Sequence, residues 1–391
     1  MGFVPVLWIT GPAGVGKSTV SWQLFTELAE AGVPVAFADG DQFCMCYPAP
    51  PGDPGRERIK AQNVGALIPR YRAAGAACVI VNGVVDPLAG VYSELMPAAE
   101  LTVCRLRADP DEVARRFTGR YGSGEDLDEL LRQTLGEATA MDTSDFAHVC
   151  VDTTGVAAAE VAMLVRESCG SWPGFDGSLV PAGPAPALGA AELPRPAETG
   201  PAGGDVLLLC GPTGVGKSTV GFEVYVRQVR AGRTAGYVDL DQIGFIRPGS
   251  DDDPGRHRLK AGNLAAMWRT YRAAGATRLI ATGPIESDEV LRVYIQALPG
   301  ARVTLGRLHA DGPELTRRIM SRRDGGSWSQ PGDPLRGQPA EFLQQKAHRA
   351  IADDDAFERA ELGAVRVDTG GRTPAEAADL IARGLGWPNP S

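Results

Sequence analysis

Short apolar runs, rich in β-branched residues, recur along the chain with helical stretches between them. VPVLWIT from Val4, VPVAFAD from Val33, ACVIVNG from Ala77, LTVCRL from Leu101 and HVCVDTT from His148 are nearly continuous in apolar residues and too short for helices. Strands of that kind are buried on both faces, as in a parallel sheet. Between the first two lies KSTVSWQLFTELAEAG, residues 17–32, a helical pattern that closes on Gly32. Strands alternating with helices predict an α/β fold with a parallel sheet covered by helices on both faces.

The pattern is then repeated. GPAGVGKSTV at Gly11 returns as GPTGVGKSTV at Gly211, differing only where Thr213 replaces Ala13. DGDQF at Asp39 answers DLDQI at Asp239, DPGRERIKAQN at Asp53 answers DPGRHRLKAGN at Asp253, and YRAAGA recurs at Tyr71 and Tyr271. Later the spacing drifts: RADPDEVARRF at Arg107 matches HADGPELTRRI at His309, and VDTTG at Val151 matches VDTGG at Val367. The extra residues fall in a Gly/Ser/Pro-rich segment around Asp324–Gln338, which reads as a longer loop. One whole unit has been duplicated in tandem, and each copy is long enough to bury its own core. The expected domains are 1–170 and 205–391. Residues 171–204, dominated by Pro, Gly and Ala, are expected as a linker, the alternative being an ordered wrap over one domain.

Composition narrows the partners. The 391 residues carry a net charge of −9, against a nonspecific nucleic-acid binder, which needs a basic face. The start of the chain runs straight into a strand with no basic leader and no long apolar stretch, so no membrane span and a cytoplasmic location are expected. Of the seven cysteines, Cys78, Cys104, Cys150 and Cys210 lie in apolar strand-like runs and read as small buried side chains. Cys44 and Cys46 are spaced C-x-C with no second pair or nearby His to complete a zinc site.

Gly11-x4-Gly16-Lys17-Ser18 and Gly211-x4-Gly216-Lys217-Ser218 are complete P-loop patterns, each after an expected strand and opening an expected helix. In such a loop, backbone N–H groups around Gly14, Val15, Gly16 and Thr19, or Gly214, Val215, Gly216 and Thr219, converge on phosphate oxygens at a helix N-terminus. Lys17 and Lys217 reach the β- and γ-phosphates, and Ser18 and Ser218 are placed to hold Mg²⁺. Two P-loop NTPase domains in tandem, both binding nucleotide, are therefore expected, with ATP and Mg²⁺ as cofactors.

What the nucleotide is for depends on the acids. The third strands end in Asn82 and Thr282 where an ATPase of the motor kind carries Asp, and Asp86 and Glu286 come only in the following loop. The second strands end instead in Asp39-x-Asp41 and Asp239-x-Asp241. One carboxylate of such a pair can point at the metal and the other at an acceptor hydroxyl, the groups needed for phosphoryl transfer. The plain alternative is an Asp-rich turn.

Together the P-loop, DGDQ, the Lys60-x-x-Asn63 helix and the later Arg-rich segment resemble adenylylsulfate kinase. More broadly they resemble gluconate, shikimate and chloramphenicol phosphotransferases and nucleoside monophosphate kinases. The resemblance implies that Asp39 and Asp239 are metal-linked or base residues, with Asp41 and Asp241 near the acceptor. It also implies that Asn63 and Asn263 contact the acceptor. Lys60 and Lys260 stand where that family has Arg, Gln42 and Gln242 replace its Asn, and the arginine that follows its D-G-D-N is missing. These departures turn the reading away from adenylylsulfate as acceptor and leave phosphoryl transfer standing.

The triplets Arg56, Arg58, Lys60 and Arg256, Arg258, Lys260 flank a helix start, where they either grip an anionic acceptor group or form a solvated face. Arg115, Arg116 and Arg120 answer Arg317, Arg318 and Arg322 before the glycine-rich YGSG and DGGS. The resemblance makes this a short lid whose arginines close over the transferred phosphoryl. The alternative is that they offset a helix dipole. Thr154 and Gly155, or Gly370 and Gly371, border the adenine by the same resemblance, or simply cap a helix. The sequence thus predicts a tandem kinase of a small-molecule acceptor. Its rival is a regulatory ATP- or GTP-binding NTPase acting through a protein partner. The acceptor, the base preference and the oligomeric state are left open.

Overall fold

The computed structural model describes residues 3–121, 124–178, 203–324 and 333–387. The chain divides into two compact units. Unit 1 takes in Met1–Cys44, Gly52–Arg195 and Phe245–Pro254; unit 2 takes in Met45–Pro51, Pro196–Gly244 and Gly255–Ser391. A short segment of each half of the sequence thus belongs to the other unit, which the sequence reading did not foresee.

In chain order the first half forms β1 (Val4–Thr10), α1 (Lys17–Glu30), β2 (Val35–Asp39), β3 (Cys46–Tyr47), α2 (Glu57–Ala73), β4 (Cys78–Asn82), β5 (Ala99–Arg107), α3 (Pro110–Tyr121), α4 (Glu125–Asp142), β6 (Val149–Asp152) and α5 (Ala158–Ser168). The second half forms β7 (Asp205–Cys210), α6 (Lys217–Arg230), β8 (Ala235–Asp239), β9 (Ile246–Arg247), α7 (His257–Ala273), β10 (Arg278–Thr282), α8 (Asp288–Ala297), β11 (Arg302–His309), α9 (Gly312–Ser321), α10 (Ala340–Arg359), β12 (Val365–Asp368) and α11 (Pro374–Gly384).

The unit 1 sheet runs β6-β5-β1-β4-β2-β9, and the unit 2 sheet runs β12-β11-β7-β10-β8-β3. Five strands of each are parallel, as the apolar runs require, and the sixth is a short antiparallel edge. The expectation of a purely parallel sheet is corrected to this extent. Ile246 sits opposite Ala36, and the Phe37 amide donates to the Phe245 carbonyl at 3.1 Å. Phe245 lays its ring 5.0 Å from Trp22 and 5.8 Å from Phe37, so aromatic packing as well as hydrogen bonding holds the edge. In unit 2, Cys46 lies opposite Gly236, and the Tyr237 amide donates to the Met45 carbonyl at 2.9 Å.

Helices flank both sheets. Val20, Leu24 and Leu28 of α1 recur at helical spacing and bury against Leu7, Ile9, Phe37 and Ile80. Leu207, Leu209, Tyr237 and Ile280 form the matching core under α6. The segment expected as a linker begins inside the unit 1 core: Trp172 is buried and its ring lies 4.9 Å from that of Phe175. Two aromatic side chains outweigh the surrounding Gly and Pro there. Residues 179–202, the rest of that segment up to Gly203, lie outside the described residues.

Cys78, Cys104 and Cys210 are buried as expected, but Cys150 is exposed. It lies on β6, an edge strand whose pattern has only Val151 facing the core. Among the described residues no helix is long and apolar enough to cross a membrane.

Candidate active site

The loops between β1 and α1 and between β7 and α6 are built by their glycines. Gly11 has φ 138° and runs so close to the neighbouring strand that a Cβ would lie 2.2 Å from the Leu106 carbonyl oxygen. Gly16 caps α1 at φ 96°, a left-handed turn that aims the first helical amides into the loop. Gly211 (φ 142°) and Gly216 (φ 99°) do the same in unit 2. Lys17 and Lys217 fold back over the loop. Each Nζ donates to two carbonyls, those of Gly11 and Pro12 at 2.9 and 3.0 Å and those of Gly211 and Pro212 at 2.9 and 3.0 Å. Burial holds both ammonium groups below the ordinary lysine pKa. An anion in the cradle would restore what burial has taken away.

The carboxylate pairs lie beside these lysines. Asp39 and Asp239 end β2 and β8, only 6 % and 7 % exposed. Asp39 accepts from the Asp41 amide at 3.2 Å, and Asp239 from the Asp241 amide at 3.0 Å. Burial, reinforced by the neighbouring Asp41, pushes Asp39 up to about 7; burial and Asp241 push Asp239 up to about 6. The second acids go the other way. Burial alone would raise Asp41, but the Lys60 and Lys17 ammonium groups outweigh it and hold the carboxyl below its usual range. Lys260 and Lys217 act likewise on Asp241. Each site therefore pairs one carboxyl that resists charge with one that keeps it.

Ser18 and Ser218 sit against the first acid by different routes. In unit 2 the Ser218 hydroxyl donates to Asp239 Oδ2 at 2.8 Å. In unit 1 the Asn82 amide intervenes, donating to Ser18 Oγ at 2.9 Å and hydrogen-bonding Asp39. A hydroxyl and a carboxylate are hard oxygen donors of the kind Mg²⁺ selects, and Mg²⁺ is commonly held by one or two carboxylates with phosphate oxygens completing its shell. The donor set fits the ion.

Across from the pair stands the start of α2 or α7. Arg56 and Arg256 occupy the left-handed region (φ 61° and 55°), and their guanidinium groups donate to the Cys44 and Gly244 carbonyls at 3.3 and 3.1 Å. Non-glycine residues in that region are strained. Arg58 lies over the Tyr92 ring and 3.4 Å from Glu94. Lys60 Nζ meets Asp41 at 2.9 Å, Glu57 at 2.8 Å and the Val84 carbonyl. Lys260 meets Asp241 at 2.8 Å. Asn63 and Asn263 donate to the Phe43 and Ile243 carbonyls at 2.6 and 2.7 Å, tying the helix to the turn that carries the acids.

The six arginines divide into three kinds. Arg115 and Arg317 are exposed and pair with Glu112 and Glu314 of their own helices. Arg116 reaches the Thr153 hydroxyl and carbonyl at 3.0 and 2.7 Å. Arg318 bonds Thr369 in the same way and also the P-loop carbonyl of Val215 at 2.9 Å. Arg120 and Arg322 lie near enough to Lys17 and Lys217 to act on them electrostatically. Arg322 also pairs with Asp333 at 2.7 Å. The glycine-rich stretches expected to make the lid supple include residues 122–123 and 325–332, which lie outside the described residues.

Gly155 lines a cavity of about 440 Å³ with Gly14, Gly16, Thr19 and Arg116. Gly370 and Gly371 line another, about 540 Å³, with His309, Asp311 and Arg317. Thr154 instead accepts from the Asp109 amide at 2.9 Å, a turn contact. Several residues of the site had drawn no role from the sequence. Asn82 had been noted only as the absence of an acid, and Thr153 and Thr369 were hidden in a turn motif. Glu57 and His257 differ between otherwise matching segments, a signal available in the repeat itself.

A mostly parallel sheet with a P-loop after an inner strand, β1 or β7, and an acid pair at the end of the second strand has the architecture of a P-loop NTPase domain. Residues 3–62 match the family model described as adenylylsulphate kinase. Among solved structures the chain is similar to the Deinococcus radiodurans tunicamycin resistance protein (18 % identity, TM-score 0.33), with 48 % of this chain and 99 % of that one covered. It is similar also to a gluconokinase from Sinorhizobium meliloti 1021 (19 % identity, TM-score 0.31, 47 % and 91 % covered). A third is the Mycobacterium tuberculosis APS kinase CysC in complex with AMPPNP and APS (17 % identity, TM-score 0.31, 47 % and 98 % covered). No curated protein matches.

Proposed function

We propose that the chain is an ATP- and Mg²⁺-dependent phosphotransferase with two nucleotide sites. Each moves the γ-phosphoryl group of ATP to a hydroxyl or phosphate of a small-molecule acceptor. The observation that carries this reading is the second-strand acid pair beside the P-loop lysine in both units. Lys17 and Lys217 leave their loop carbonyls for the β- and γ-phosphates. Ser18 with Asp39, and Ser218 with Asp239, hold the cation, which when bound neutralises phosphate oxygens. Asp41 and Asp241 keep their charge and accept the hydrogen bond of the acceptor hydroxyl, aligning its oxygen with the γ-phosphorus. As the new O–P bond forms and the bond to the β-phosphate oxygen breaks, the hydroxyl proton passes to that carboxylate and on to water. Arg120 and Arg322 approach the same phosphates and offset their charge.

The test is ³¹P NMR of the purified protein with ATP and Mg²⁺ against pools of sugars, nucleoside monophosphates, adenylylsulfate and antibiotics. A new phosphoester or phosphoanhydride signal that disappears in a Lys17→Ala, Lys217→Ala double variant is the expected result. Release of free phosphate alone across all pools would favour the regulatory NTPase reading instead.

A further inference from the structure

The two lysines that face the second acid are not equivalent. An ammonium group has three N–H donors. Lys60, 2 % exposed, has all three engaged, by Asp41 at 2.9 Å, Glu57 at 2.8 Å and the Val84 carbonyl. In the second unit His257 stands at the position of Glu57, and its ring nitrogens bond elsewhere. Its Nε2 lies 3.2 Å from Glu286 and its Nδ1 3.3 Å from the Tyr294 hydroxyl. Lys260, 5 % exposed, has Asp241 as its one hydrogen-bonding partner among the described residues, at 2.8 Å. Among the described residues, two donors of a buried cation are thus left without acceptors, beside the acid assigned above to the acceptor hydroxyl. Buried donors of that kind carry a large penalty unless something accepts from them. Glu286 also acts on Lys260 through space, but its bonded partner is His257.

We propose that the two sites take acceptors of different charge: Lys260 holds an anionic group of the acceptor in unit 2, whereas Glu57 fills that place in unit 1, whose acceptor is uncharged there. A tetrahedral oxyanion or a carboxylate meets the two free donors equally well. The proposal rests on the phosphotransferase reading above and deepens it by naming the class of acceptor at each site.

The experiment is equilibrium dialysis of the full chain with [³²P]orthophosphate as the anionic probe. It is run in saturating Mg²⁺ and AMP-PNP so that the γ-phosphate position is already filled, and bound AMP-PNP is counted in parallel. Wild type is expected to bind one phosphate per chain. Lys260→Met is expected to weaken it by at least about tenfold, the cost of losing charged hydrogen bonds, while Lys260→Arg and Lys60→Met retain it. Glu57→Ala, by removing the acceptor of one Lys60 donor, is expected to add a second phosphate. Two nucleotides bound with phosphate uptake indifferent to Lys260, or equal at both sites in wild type, would overturn the assignment. Failure of AMP-PNP to bind would instead sink the phosphotransferase reading. Unchanged AMP-PNP stoichiometry in Lys260→Met separates lost contact from lost fold.

Discussion

The acid that ends each second strand should make the apoprotein less stable as pH rises, and its removal should reveal by how much. Asp39 is 6 % exposed and is pushed from 3.8 to about 7 by burial and by Asp41. A carboxyl that keeps its proton to higher pH in the folded state favours folding below the unfolded pKa of about 4 and loses that advantage as pH climbs through about 7. Three pH units correspond to about 4 kcal/mol, an upper bound because local relaxation admits water to the charged form. The Asp39→Asn variant keeps the acceptor for the Asp41 amide at 3.2 Å and cannot ionise. In chelator-treated protein its melting temperature should match wild type near pH 4.5 and rise above it as pH increases, levelling off past about 7. At about 2–4 °C per kcal/mol for a unit of this size, the plateau would be at most about 8–16 °C. Asp239, pushed only to about 6, should give a smaller plateau reached about one pH unit earlier. Differential scanning fluorimetry of both variants from pH 4.5 to 8.5 decides it. A gap that is constant with pH would refute the reasoning, because it would mean that the carboxyls are already ionised at the bottom of the range.

Phe245 belongs by sequence to the second half but by packing to unit 1, with its ring against Trp22 and Phe37. Phe245→Ala should cost about 2–4 kcal/mol there. Hydrogen exchange should quicken in α1 and β2 and stay unchanged in β7 and β10; the opposite pattern would contradict the exchanged edge. Arg318→Ala removes the tie from α9 to both Thr369 and the P-loop carbonyl of Val215. In a Lys17→Ala background it should weaken nucleotide binding to unit 2 by about tenfold, one or two charged hydrogen bonds' worth, whereas Arg317→Ala, on an exposed pair, should leave it within about twofold.

Most of the fold was legible because the forces that set it are local and periodic. The inner strands announce themselves as apolar runs, and the glycines at 11, 14 and 16 mark a turn that no other residue would make. The exchanged edges were illegible for the converse reason. Cys46–Tyr47 and Ile246–Arg247 are each two residues long and run into proline, so they carry no alternation to read. What places them is the aromatic contact of Phe245 and a few backbone bonds made far along the chain. Trp172 carries no such signal either, since average composition says nothing about one ring finding a core.

The duplicated motifs raise a sharper point about what residue identity conveys. Ser18 and Ser218 occupy the same motif, yet one accepts from Asn82 while the other donates directly to Asp239. Lys60 and Lys260 are the same residue on matching helices, yet Glu57 completes the partners of the first, whereas His257 bonds elsewhere and the second meets only Asp241 among the described residues. The motif therefore sets which atoms are available, while the residues one turn or one strand away set whether those atoms remain free to act. In a duplicated chain this makes the differing positions more informative about chemistry than the matching ones. The matching residues give both halves the same P-loop and the same acid pair. Positions 57 and 257, or 82 and 282, are where the contacts of the two sites part.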